Sequence, residues 1–467
     1  MYDMRFEYIL LDALGENRVL TGSAIGLDYA HDETPGGVQY MPEAVCLAKS
    51  TEDVSAILKL CNEYDIPVTP RGAGTGLVGG SVPVNGGIVL ALGGMNRILG
   101  YDEEAMTVRA EPGVLLSDLK ADAAARGFLY ASDPGEKTAT VGGNAATNAG
   151  GPSAVRYGTM KDNVVAATVV LPAGEVLELG GNVGKSSSGY DILQLILGSE
   201  GTLGVITELT LKLWPKPKAD ISLILPFAEA ASIPAAADAL KKSGLAVSVM
   251  EYIDTDIVEF AGAVTGNPVF PVEMEGNRAA ASLLLTIEGK DDDELDAAME
   301  AVAEMSEEWG VLDILVVDTP SLKKDVWAAH DAFHTAAESA AKYADELNMT
   351  VPPMAMAEYF EYVKGLGSKA GLDVYAYGHA GDGGVHIYVC TSDADKDAFT
   401  AKKTALFDAA YAKCKELGGK VSSEHGIGYV KKDYLKESMG EDAYALMGRI
   451  KAAFDPKGIL NPGKVVG

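Results

Sequence analysis

The sequence predicts an α+β fold. Two patterns carry the prediction. Short β-branched runs alternate with glycine clusters from Glu43 to Trp214. From about residue 220 to 410, longer apolar runs are separated by alanine-rich amphipathic stretches. The 467 residues suit two or three domains, and a 48% apolar content is ample for large cores.

Taken in order, residues 1–34 read as a helical lead-in. Residues 35–219 form the first domain, with strands expected at VTP, GGIVLAL, MTVRAEPG, NVVAATVVLP and GVITELTLKLW. The segment STEDVSAILKLCNEYDI reads as an amphipathic helix whose Ser50-Thr51-x-Asp53 opening supplies a cap. Pro215 and Pro217 punctuate the domain's end. Residues 220–420 carry strands SLILPF, ASLLLTIEG, LDILVVD, DVYAYGH and VHIYV, with helices such as AAADALKK and ELDAAMEAVAEMSEEW. That order predicts an antiparallel sheet with helices on one side. Residues 421–467 show little periodicity but dense polar motifs.

Bulk properties narrow the function. The formal net charge of −29 repels nucleic acid and anionic lipid. No run of about 18 apolar residues appears, so membrane insertion is not expected. The opening MYDMRFEYILLDALGEN carries early acids and no small-residue cleavage site, which predicts no signal peptide. Cys46, Cys61, Cys390 and Cys414 are scattered without C-x-x-C spacing. They predict a cytoplasmic location with no iron–sulfur cluster or structural zinc.

The stretch RGAGTGLVGGSVPVNGG, Arg71–Gly87, contains a G-x-G-x-x-G match at Gly74–Gly79. A dinucleotide-binding Rossmann unit would need a helix starting inside it. Gly79, Gly80, Pro83, Gly86 and Gly87 disfavour one. Two further glycine-rich stretches follow, Ser132–Val164 and Ile196–Glu208. Such stretches are either ordinary turns or backbone N–H nests, which can bind a pyrophosphate without a helix dipole because glycine lets the chain come close.

These stretches, PRGAGTGLVGGSVP, DPGEKTATVGGNAATNAGGPSAVRYG and LILGSEGTLGVITELTLKL, resemble the FAD domain of vanillyl-alcohol-oxidase type flavoproteins. Within these, the chain resembles the D-lactate dehydrogenase and glycolate-oxidase large-subunit group over nearly its whole length. The resemblance implies a two-subdomain FAD-binding domain followed by a substrate or cap domain, with residues 421–467 returning to the flavin. It implies that Arg71, Gly72, Gly74, Thr75, Gly76 and Ser81 cradle the FAD pyrophosphate. Pro134, Gly142, Gly143, Asn144, Thr147, Asn148, Gly150, Ser153 and Tyr157 would line the flavin and ribityl chain. Glu200, Gly204 and Ile206 would contact the adenine side, and Asn461 would approach the isoalloxazine. Relatives that attach FAD covalently use a His or Cys near these loops. None stands in Arg71–Gly87 or Ser132–Val164, so FAD is expected to be non-covalent.

Five of the six histidines lie in the C-terminal third. YAYGHAGDGGVHIYV reads as two strands joined by a turn, with His379 and His386 at the facing ends. They are either hydrogen-bonded turn residues or, with Glu424, a two-His-one-carboxylate set for zinc, iron or manganese. The resemblance favours one divalent metal. YGHAGDGGVH is similar to the family signature G-H-x-G-D-G-N-x-H, with Gly384 in place of the Asn. His425, in EHGIG, matches the family's base beside the flavin. An imidazole suits removal of a 2-hydroxy acid's hydroxyl proton while hydride leaves the α-carbon. Relatives often carry an arginine three residues after a tryptophan to hold the substrate carboxylate. Here Trp327 is followed by His330, and His334 stands one turn later. That pair either contacts substrate or forms a solvated face.

The expectation is an FAD-dependent 2-hydroxy-acid dehydrogenase acting on D-lactate, with electrons passing to an electron-transferring flavoprotein. D-2-hydroxyglutarate and glycolate are the alternative substrates. Rival readings are an electron-relay subunit and a transferase similar to alkyl-glycerone-phosphate synthase.

Overall fold

In a computed structural model the described residues are 4–393 and 395–466. They gather into two units. The first comprises the chain up to Gly150, Gly158–Lys216, and the chain from His425 onward; the second comprises Gly151–Tyr157 and Pro217–Glu424.

The first unit holds two main sheets and a two-stranded ribbon, Phe128–Leu129 with Trp214–Pro215. One orders the strands Val19–Thr21, Ala44–Leu47, Ile88–Ala91 and Val68–Arg71. Its first pair is antiparallel and the other two are parallel. The helix Thr51–Glu63 makes the crossover between parallel strands. Ser50 caps it, its side chain accepting the N–H of Asp53 at 3.2 Å. Val54, Ile57, Leu58 and Cys61, at i, i+3, i+4 and i+7, pack into the core with Val68 and Leu90. The other sheet is wholly antiparallel, in the order Ile98–Asp102, Thr107–Ala110, Val205–Lys212, Val164–Val170, Val176–Gly180.

Both ends of this unit differ from the sequence expectation. Within residues 1–34 the α-helix is Met4–Leu14. Gly15 follows at φ +86, and the chain continues as single 3₁₀ turns and the strand Val19–Thr21. At the other end, the residues expected to lack periodicity form helices Lys432–Met439 and Glu441–Phe454. In the second of these, Tyr444, Met447, Ile450 and Phe454 recur every three or four residues, and Ile450 and Phe454 pack on the core of the five-stranded sheet. The chain then lies alongside the strand Val68–Arg71. Val68 donates its N–H to Ile459 O at 2.8 Å, and Asn461 donates to Val68 O at 2.7 Å.

The second unit is built on a seven-stranded antiparallel sheet: Leu315–Val317, Ala219–Phe227, Ala281–Gly289, Val247–Asp254, Asp373–His379, Gly384–Thr391, Tyr343–Thr350. Helices cover both faces, not one. Ile253 and Leu284 pack with helices Thr255–Thr265 and Pro320–Ala340. On the opposite face Tyr252 packs against Phe360 of helix Met356–Ala370, the tilted rings 4.8 Å apart. The reason is visible in the strands: all eight residues of Val247–Asp254 and of Gly384–Thr391 are buried, the pattern of a sheet enclosed on both sides. No described helix is long and apolar enough to cross a membrane.

Candidate active site

In the first unit, residues 72–87 form turns and no helix, as the sequence requires. The loop wraps around a buried post, Arg71, whose Nη1 donates to His31 O at 2.8 Å and to Ser81 Oγ at 3.2 Å. A Cβ on Gly74, at φ +85, would sit 1.9 Å from Arg71 Nη2; one on Gly72 would sit 2.3 Å from Thr140 Oγ1. These glycines let the chain close on itself. Gly142 presses on Pro112, and Gly204 on Val169, for the same reason. Gly76 differs, since a Cβ there meets only Asp32 Oδ2 at 3.6 Å. A cavity of about 330 Å³ opens beside Arg71 and Gly72, lined also by Tyr29, Leu47, Ala91 and Gly93.

The second glycine stretch caps and ends a short helix, Val141–Thr147. Thr140 accepts the N–H of Gly143, and Asn148 closes the helix in the left-handed region at φ 54. Asn148 Oδ1 accepts from Thr159 Oγ1 and the N–H of Lys161, while Thr147 Oγ1 donates to Gly143 O. The buried Nδ2 of Asn144 and Oγ of Ser199 have no hydrogen-bond partner among the described residues. Orphaned buried polar atoms are costly, and here they stand in the loops matched to FAD. With the open face of Gly76, they make these residues a fit for the cofactor. Ser153 and Tyr157 fall in the second unit, where Tyr157 OH donates to Glu288 Oε2 at 2.6 Å.

Glu200 and Asn461 are brought together with the first glycine loop. Asn461 Nδ2 donates to Gly80 O at 2.9 Å and to Glu200 O at 2.8 Å. The Glu200 carboxylate accepts the N–H groups of Ile427 and Gly428, each at 2.7 Å. It thus grips the EHGIG segment that carries His425. Lys464, not singled out by the sequence, is buried and donates to Val82 O and Asn461 Oδ1.

In the second unit, His379 ends one strand and His386 lies on the next. Their rings meet edge to face at 5.3 Å. The turn between them requires glycine at 383, where φ is +92 and a Cβ would sit 2.0 Å from Val351 O. Glu424 Oε1 lies 3.0 Å from His386 Nε2 and 3.7 Å from His379 Nε2. One ligand atom from each of the three residues falls within 4.8 Å of the others. His379 Nε2 is buried with no hydrogen-bond partner among the described residues. Burial alone would press both imidazoles toward neutrality. The carboxylates of Glu251 and Glu424 outweigh it at His379, holding it well above its usual value. Glu346 and Glu424 hold His386 up at about 9. Glu424 is pushed up by burial, yet the two imidazoles hold it well below the usual carboxylate range. A pocket that favours positive charge at two Nε2 atoms beside a carboxylate is a chemical fit for a divalent ion.

Gly384 leaves no room for the family's Asn. A Cβ there would lie 2.6 Å from Ser423 Oγ and 2.9 Å from His379 Cδ2. His330 is buried rather than on a solvated face, with Nε2 3.3 Å from Glu251 Oε2 and its ring edge-on to Tyr377. His334 packs against Tyr388. Sequence reasoning missed Glu251, Glu346 and Asn348. Glu251 accepts from His379 Nδ1 at 2.7 Å, and Glu346 from His386 Nδ1 at 2.8 Å. Asn348 Oδ1 accepts the N–H groups of Ser423 and Glu424. For Glu251 the available signal was an acid in the middle of an apolar strand, SVMEYID.

Comparison with known proteins bears on both units. The family described as FAD linked oxidases, C-terminal domain, matches residues 216–465. The family described as FAD binding domain matches residues 42–180. A D-lactate dehydrogenase of Anaerostipes hadrus is 47% identical over 97% of this chain and 95% of its own. The glycolate oxidase subunit GlcD of Bacillus subtilis is 32% identical over 98% of this chain and 95% of its own. Among solved structures, p-cresol methylhydroxylase shares the fold with a TM-score of 0.82 at 20% identity, covering 99% of this chain and 96% of its own. The chain therefore belongs to the FAD-linked oxidases with the vanillyl-alcohol-oxidase fold, and is an FAD-dependent oxidoreductase.

Proposed function

We propose that this chain oxidises a small 2-hydroxy acid, D-lactate, to the corresponding 2-oxo acid. The observation that carries the reading is the convergence of His379 Nε2, His386 Nε2 and Glu424 Oε1 in a chain of the FAD-linked oxidases. A 2-hydroxy acid offers two oxygens, hydroxyl and carboxylate, that suit a divalent ion. FAD, when bound, supplies the acceptor for the hydride of the α-carbon, and the ion supplies charge that favours the alkoxide. His379, His386 and Glu424 would hold the ion; Asn348 orients Glu424 through the backbone. His425 removes the hydroxyl proton as general base, and Glu200 fixes the loop that bears it. Arg71, Gly72, Gly74, Thr75, Gly76 and Ser81 would hold the pyrophosphate of a non-covalent FAD, and Asn144, whose buried Nδ2 lacks a partner among the described residues, would line the flavin.

Electrons leave to a soluble electron-transferring flavoprotein. Supporting this, the four cysteines are free and buried, and none forms a relay cluster among the described residues. The test is anaerobic bleaching of the flavin with a panel of D-lactate, L-lactate, glycolate and D-2-hydroxyglutarate, followed by stopped-flow mixing with candidate acceptors. Bleaching by none of the four defeats the substrate reading. Reoxidation by oxygen alone, without acceleration by a flavoprotein, defeats the acceptor reading.

A further inference from the structure

The geometry points to Glu251 and Glu346 as positioning residues that aim the two imidazoles at a single ion; the inference rests on the metal reading above. Four neighbouring strands set out the arrangement. Val247–Asp254 carries Glu251, Asp373–His379 carries His379, Gly384–Thr391 carries His386, and Tyr343–Thr350 carries Glu346. Glu251 stands opposite His379 in the register. Glu346 reaches diagonally, since Asn348 is the residue opposite His386. Each carboxylate thus flanks one imidazole from the outer strand, at 2.7 Å and 2.8 Å.

The consequence follows from donor and acceptor rules. An ionised carboxylate only accepts, so the ring nitrogen facing it carries the hydrogen. Nδ1 is therefore the protonated nitrogen in both rings, and the lone pair of a neutral ring lies on Nε2. Both Nε2 atoms turn toward Glu424. The same contacts fix the ring planes, which stand at 85° to each other. Partners of this kind raise a ligand's basicity as well as orienting it.

Glu251 also uses its second oxygen, which lies 3.3 Å from His330 Nε2. A carboxylate with no exposed surface in an apolar strand is expensive to bury unless it is fully paired. Two imidazoles, from a strand and from the helix Pro320–Ala340, pair both of its oxygens. His330 thereby supports the Glu251 carboxylate from the helix side.

The test removes the charge while keeping the shape. Wild type, Glu251→Gln and Glu346→Gln are purified with FAD, stripped with a chelator, and titrated with Co²⁺ under competition from a chromophoric chelator. Co²⁺ affinity is expected to fall about tenfold to a hundredfold in each variant. The visible ligand-field spectrum should shift and the FAD content should stay unchanged. Wild-type affinity and spectrum in both variants would overturn the inference while leaving the metal site standing. A wild type that takes up no Co²⁺ overturns the metal reading itself. If Glu251→Gln does not accumulate as folded protein, Glu346→Gln decides alone.

Discussion

The Glu200 carboxylate accepts the backbone N–H of Gly428 on one oxygen and that of Ile427 on the other, each at 2.7 Å. A Cβ on Gly426 would lie 2.9 Å from the Glu200 Cδ, so the EHGIG segment lies directly on the carboxylate. Glu200→Ala strands two amides. It should lower stability by about 2–3 kcal/mol, read from urea unfolding, and slow flavin reduction by D-lactate because His425 loses its anchor. Unchanged unfolding midpoints would mean that the contact holds nothing.

Gly74 and Gly76 should respond differently. Gly74→Ala drives a methyl into Arg71 at a positive φ, so the apoprotein should lose thermal stability along with FAD. Gly76→Val meets only Asp32 at the Cβ position. Its apoprotein should melt near wild type while retaining little flavin absorbance. A Gly76→Val chain that purifies fully yellow would remove this loop from the cofactor cradle.

His386→Ala should lose the bound ion and keep FAD, measured by elemental analysis and flavin absorbance on the same sample. His425→Asn should keep both and slow flavin reduction by about 10²- to 10⁴-fold. Full activity of a metal-free preparation would contradict the first; an unaltered reduction rate would contradict the second.

Restoring the family's Asn at position 384 should harm rather than help. Gly384→Asn crowds Ser423 Oγ and the His379 ring, so metal retention should drop. Tighter metal binding in that variant would show that the strand yields and that the missing Asn matters.

Burial presses the Lys464 ammonium down to about 8, against about 10.4 in an unfolded chain. Between those values the unfolded chain binds the extra proton, so this group makes stability rise with pH. Its cost is fully present below about pH 8 and gone once the unfolded lysine also titrates. The stability of wild type minus that of Lys464→Met should therefore increase from about pH 7 to about pH 10. A difference that does not change with pH would show that the ammonium titrates as it does in water.

Much of this was legible because the signals are local. The glycine loops, the cap at Ser50 and the hairpin of His379 and His386 each occupy one short stretch. Glu251 and Glu346 were not legible, because their imidazole partners lie 128 and 40 residues away. Only the strand order brings them alongside. The helices covering both faces of the large sheet were missed because strands buried on both sides show no alternation. The sequence leaves His330 as either a substrate contact or half of a solvated pair, and only the fold shows it buried against Glu251.

The seven residues Gly151–Tyr157 leave the first unit and return to it. Val155 fits against Gly381, and Arg156 and Tyr157 both reach Glu288. The second unit is thus encoded by two separated pieces of the gene. A fragment cut as Pro217–Glu424 would lack part of its own packing, and should accumulate poorly unless residues 151–157 are supplied with it. Exchange of this half between relatives, by recombination or by an engineer altering substrate preference, must therefore transplant both pieces together; a single crossover near Lys216 would pair the seven-stranded sheet with another protein's Arg156 and Tyr157.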